Sequence, residues 1–175
     1  MPDQGTKQTP TFFTSPMLAM GSAVSGESGL RINETATRAR AGLLNIISAL
    51  TMFTLYVSPE IDPILYIAPY VIFDMTMAAT FGLTPLSPSG LLGTALTMKS
   101  SPVWKPIQPK RFAWSLGALM GIACLVFRLM ELPDIWLFSV LGACFMLTWL
   151  EAVLGFCVGC WMYNKLFGCE PCQPA

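Results

Sequence analysis

Four long apolar runs divide this chain, each bounded by proline or by charged residues. A run of about 20 such residues, wound as a helix, matches the thickness of a bilayer's hydrocarbon core. Ala41 to Val57 is the first, opened by a helix start at Asn33-Glu34 and a polar lead-in with Arg38 and Arg40, and ended by Pro59. Pro63 to Leu83 is the second, apolar except for Asp74 and stopped by Pro85 and Pro88. Phe112 to Met130 is the third, introduced by Lys110 and Arg111 and carrying Arg128 near its far end, and Ile135 to Cys160 is the fourth. With 54% hydrophobic and 11% charged residues, the composition lies far from soluble globular averages. The expected fold class is all-α: an integral membrane protein with four transmembrane helices.

Between the second and third runs, Gly90 to Met98 is apolar but too short to cross, and Pro102, Pro106 and Pro109 follow it. That pattern predicts a short interfacial or re-entrant helix. Arg31, Arg38, Arg40, Lys99, Lys105, Lys110, Arg111 and Lys165 all fall on the side that holds both termini, whereas Glu60, Asp62, Glu131 and Asp134 fall on the other. The positive-inside rule makes both termini cytoplasmic. In a bacterial inner membrane the cysteine-rich end then faces the reducing compartment, and an organelle inner membrane would carry the same pattern. Residues 1–30, rich in Gly, Ser, Thr and Pro with no evident signal peptide, read as a flexible or interface-docked arm. Residues 31–167 make the four-helix domain and 168–175 a cysteine-containing tail.

At 175 residues the chain has no room for a separate soluble enzyme domain of ordinary size. It has no histidine, which removes His-ligated haem, His-zinc sites and imidazole acid/base chemistry. Zero net charge removes a basic-patch argument for nucleic acid. No cofactor motif is visible: Gly21 to Gly29 lacks the strand-then-helix setting of a nucleotide site. The lipid bilayer is the one partner implied by composition.

Chemistry therefore falls to a few residues. Asp74 lies about 16 Å along its span, near the midplane, where the simplest state is a protonated acid hydrogen-bonded to a neighbouring helix. It serves either as a polar pin for helix packing or as a proton or substrate site, with Asn45 a partner if the helices tilt. Glu151 sits one to two turns from the inner face, within reach of Lys110 or Arg111, so a paired carboxylate is expected. On a continuous helix Glu151 and Cys157 point to different faces.

Four of the six cysteines crowd the C-terminal end, as Cys157-Val158-Gly159-Cys160 and Cys169-Glu170-Pro171-Cys172. Two thiols three residues apart on a helix are close enough for a disulfide. A C-x2-C pair that closes a helix has the dipole set against a thiolate, which predicts a sluggish nucleophile. Trp161 and Tyr163 read as interfacial anchors and favour an unbroken helix to Gly168. About 13 Å of rise would then separate Cys160 from Cys169, so one tetrathiolate zinc site requires a helix break near Gly159. Redox or sulfur-carrying dithiol, metal site and structural cysteines all remain open readings. Cys124 and Cys144 read as small packing residues.

The residues Asn33-Glu34, Arg38, Arg40, Asp74, Pro109-Lys110-Arg111-Phe112-Ala113 and Leu150-Glu151-Ala152-Val153-Leu154-Gly155-Phe156-Cys157-Val158-Gly159-Cys160 give the chain a resemblance. It resembles the bacterial membrane family called domain of unknown function 4395, over roughly residues 30 to 165. The closing Phe-Cys-x-Gly-Cys motif is the most specific part. Members are often encoded near thioredoxin-like or rhodanese-like proteins, so the resemblance implies thiol or sulfane-sulfur handling. The leading expectation is a membrane protein that exchanges thiol/disulfide or persulfide sulfur at the cytoplasmic face through Cys157 and Cys160, with Cys169 and Cys172 as a resolving pair. The rival is an accessory subunit packed against a larger respiratory, photosynthetic or transport complex.

Overall fold

A computed structural model describes residues 31–58 and 60–168. The arm before residue 31 and the Cys169/Cys172 pair lie outside the described residues. Helices α1 (Glu34–Val57), α2 (Ile64–Phe81), α3 (Pro88–Leu96), α4 (Ile107–Leu129), α5 (Asp134–Trp149) and α6 (Val158–Phe167) follow in order, with a π-helical turn at Leu150–Leu154 after α5. Four segments are long and apolar enough to cross a membrane: Glu34–Val57, Ile64–Phe81, Ile107–Leu129 and Asp134–Leu154. The expected all-helical, four-span architecture is thus present.

Local chemistry sets the helix ends. Asn33 caps α1 by accepting from Thr35 N at 3.0 Å, so α1 begins at the Asn33-Glu34 start written in the sequence. Helix α4, by contrast, starts at Ile107, ahead of the expected Phe112. Pro109 falls in its first turn, where no intrahelical N–H partner is needed. The two lead-ins are tied by a feature the sequence reading did not anticipate. Strands β1 (Arg31–Asn33) and β2 (Trp104–Pro106) pair antiparallel, with Ile32 opposite Lys105. Glu34 N then donates to Val103 O at 2.7 Å.

Successive spans run in opposite directions, so the starts of α1 and α4 and the ends of α2 and the π turn gather at one end, which carries the basic residues. At the other end Arg128 pairs with Asp62 and lies 3.5 Å from Asp134. The core has two centres. Ile32, Leu44, Met75, Leu83, Ile107 and Trp114 pack at the basic end. Ile64, Ala68, Cys124, Leu137 and Leu141 pack toward the acidic end. Large apolar side chains such as Ile46, Phe53, Leu119, Ile122 and Met146 stay exposed along the spans, which suits contact with lipid.

Candidate functional site

The fourth span does not continue through the cysteines, and this corrects the expectation of an unbroken helix. After Trp149 the backbone widens into the π turn, and Gly155 adopts φ +66°, the left-handed conformation that ends helices. Gly155 N donates to Glu151 O and Phe156 N to Leu150 O, both at 3.1 Å. The carbonyls left over are taken by a side chain from another helix. Arg38 Nη2 donates to Val153 O at 3.0 Å and to Ala152 O at 3.3 Å.

A new helix starts at once. Cys157, extended at φ −95° and ψ 105°, is the N-cap residue of α6, and its Sγ accepts from Cys160 N at 3.3 Å. The motif therefore opens a helix instead of closing one, and the dipole of α6 presents its positive end to the Cys157 sulfur. The helix field at Cys157 is thus the reverse of the expected one. Cys157 and Cys160 are joined as a disulfide, with α-carbons 5.2 Å apart, and both are half-buried. Gly159 lets α6 lie directly on α4, since a Cβ there would sit 2.6 Å from Ala113 Cβ. Phe112, Tyr163 and Phe167 then form an aromatic cluster that holds α6 down, with Tyr163 and Phe167 centroids 4.9 Å apart.

Beside the turn lies a buried ion cluster. Lys110 Nζ reaches Glu151 Oε1 at 2.6 Å and Glu34 Oε2 at 3.0 Å, and Lys105 Nζ approaches Glu34 from outside at 3.5 Å. Glu151 is the paired carboxylate expected from its depth. Of the two expected partners Lys110, not Arg111, meets Glu151; its side chain is 3% exposed, and its second carboxylate, Glu34, is the part the sequence does not predict.

Asp74 belongs to a second network. It is fully buried and bound to Arg40, Nη2 to Oδ2 at 2.6 Å, instead of standing alone as a protonated acid. Oδ1 accepts from Ser87 Oγ at 2.8 Å and Ser89 N at 3.0 Å, and Ser89 Oγ also donates to Oδ2. The carboxylate thus sits at the N-terminus of α3, where the helix dipole and the free N–H groups both stabilise it. Arg40 also lies 5.1 Å from the Trp114 ring centroid. Asn45 does not join this network: its Nδ2 donates to Phe145 O at 2.8 Å and Thr148 Oγ1 at 3.1 Å, pinning α1 to α5.

A cavity of about 170 Å³ connects the two networks to the cysteine turn; Arg40, Trp114, Cys124, Cys144, Glu151 and Cys157 are among the residues that line it. Glu151 and Cys157, placed on different faces by continuous-helix geometry, thus share one space because the helix breaks between them. Among the described residues no three His, Cys, Asp or Glu side chains gather as a metal site.

Four membrane-spanning helices, closed at their charged end by a helix-opening cysteine pair, make this a small multi-pass membrane protein. A family model described as domain of unknown function (DUF4395) matches residues 32–167, and the chain belongs to that family. No curated protein and no solved structure matches it.

Proposed function

We propose that this protein exchanges thiols and disulfides, or carries persulfide sulfur, at the basic face of its membrane. That face is cytoplasmic by the positive-inside rule, with α3 along the interface, and the host membrane is a bacterial inner membrane. Cys157 is the attacking sulfur and Cys160 the resolving one. The observation that carries this reading is the position of Cys157 as N-cap of α6, with Cys160 N–H on its sulfur at 3.3 Å. In the exchange, the Cys157 thiolate attacks one sulfur of a partner disulfide and expels the other as thiolate. Cys160 then attacks Cys157 Sγ, closing the internal disulfide and releasing the partner's second thiolate. A thioredoxin-like or rhodanese-like protein has the chemistry of such a partner, and Cys169 and Cys172 would relay from there.

The test is reaction of the reduced, purified protein with glutathione disulfide, followed by mass. The wild type should close Cys157–Cys160, Cys160→Ser should accumulate a mixed disulfide on Cys157, and Cys157→Ser should be inert at this pair. Equal rates in Cys157→Ser and wild type would overturn the assignment. Fixed-stoichiometry co-purification of a chain without such reactivity would instead mark an accessory subunit of a larger membrane complex.

A further inference from the structure

We infer that the cavity beside Cys157 receives the ring of a lipid-soluble quinone, which takes the electrons of the Cys157/Cys160 dithiol. The inference rests on the thiol-exchange reading and supplies its oxidant. Three features of the cavity limit what can fill it. It lies among membrane-spanning helices, from Glu151 and Cys157 at the basic end to Cys124 and Leu141 deeper in the bundle, a setting that suits an occupant soluble in lipid. Its volume of about 170 Å³ is of the order that admits one six-membered ring. Its wall is mostly apolar, with the charged groups Arg40 and Glu151 and the hydroxyl of Thr148 toward the end that holds Cys157 and the hydroxyls of Ser48 and Thr51 further along. A flat apolar ring with polar oxygens at its edge fits this division.

The chemistry balances. Cys157 thiolate adds to the ring, Cys160 attacks Cys157 Sγ, and the breaking carbon–sulfur bond returns its electron pair to the ring. Two thiols lose two electrons and two protons and become one disulfide; the quinone gains both and becomes the quinol. Glu151, bound to Lys110 at 2.6 Å and lining the cavity, is the carboxylate positioned to pass a thiol proton to the ring oxygen.

The experiment uses the full chain in lipid nanodiscs, reduced and freed of reductant, mixed anaerobically with a short-tailed benzoquinone. Loss of quinone absorbance is read beside alkylation mapping of the cysteines. One quinol per chain, with closure of Cys157–Cys160, is expected. Ser48→Phe from α1 and Cys144→Phe from α5 project bulk into the cavity and should slow quinone reduction about tenfold or more. Glutathione-disulfide exchange, measured on the same samples, reports that the cysteine turn is intact. Exchange with glutathione but no quinone reduction by wild type overturns this inference and leaves the thiol reading standing. Failure of both reactions overturns both. Quinone reduction undiminished in both filled variants removes the cavity as its site.

Discussion

Replacing Asp74 by Leu strands a guanidinium inside the bundle. Arg40 is 2% exposed, and without the carboxylate it retains Ser89 Oγ at 3.0 Å, Met75 Sδ at 3.4 Å and the face of Trp114, none of which carries a negative charge. The size of the loss separates two explanations. Hydrogen bonds between membrane helices average about 0.6 kcal/mol, so losing the four accepted by Asp74 amounts to roughly 2 kcal/mol. A buried charge left without its partner costs about 3–5 kcal/mol. The expected loss for Asp74→Leu is therefore about 4 kcal/mol, and the stranded charge is its larger part. Removing the charge as well should reverse much of it, so Arg40→Met combined with Asp74→Leu should be more stable than Asp74→Leu alone. The assay is unfolding of the detergent-solubilised protein by a graded fraction of sodium dodecyl sulfate, followed by tryptophan fluorescence, for all four corners of the cycle. The reasoning is refuted if Asp74→Leu lies within about 1 kcal/mol of wild type, or if the double variant is no more stable than that single one.

The same assay bears on the cysteine turn. Gly159→Ala should lose about 1–3 kcal/mol because its methyl meets Ala113, and it should slow thiol exchange; adding Ala113→Gly should restore both. Lys110→Met leaves Glu34 and Glu151 without their shared cation and should lose about 3 kcal/mol, partly regained when Glu151→Gln is added. Arg38→Ala uncovers the carbonyls of Ala152 and Val153 and should cost about 1–3 kcal/mol. Its signature is faster amide hydrogen exchange across residues 153–160, read by mass spectrometry against an unchanged α2.

The spans were legible because a bilayer imposes one length and one polarity on whatever crosses it, and the runs around Ile46, Phe73, Ile122 and Phe145 meet both. Asp74 was legible as a site for the same reason: a lone acid among apolar residues stands out. Its counter-ion was not. Arg40, like Lys110, borders a run whose flanking charges also report orientation, and nothing local distinguishes a charge that turns outward from one that turns in. A partner 34 residues away decides it for Arg40. Ser87 and Ser89 were similarly hidden among prolines, although a Ser before Pro at a helix start is a capping signal. The break at Gly155 was the costliest omission. Gly155 and Gly159 are plain in the sequence, but glycine is common in membrane helices. The left-handed turn at Gly155 is completed by a guanidinium contributed from α1, more than a hundred residues earlier, which takes the carbonyls it leaves over.

That guanidinium also settles which partial charge the cysteine feels. The carbonyl end of the fourth span and the amide end of α6 meet across only Gly155, Phe156 and Cys157, so two fields of opposite sign converge on one short stretch. Left bare, they would largely cancel at sulfur. Arg38 covers the carbonyls of Ala152 and Val153 with a full positive charge, which leaves the amide end of α6 unopposed. A residue on another helix thereby shapes the polarity of the ground on which the cysteine pair stands.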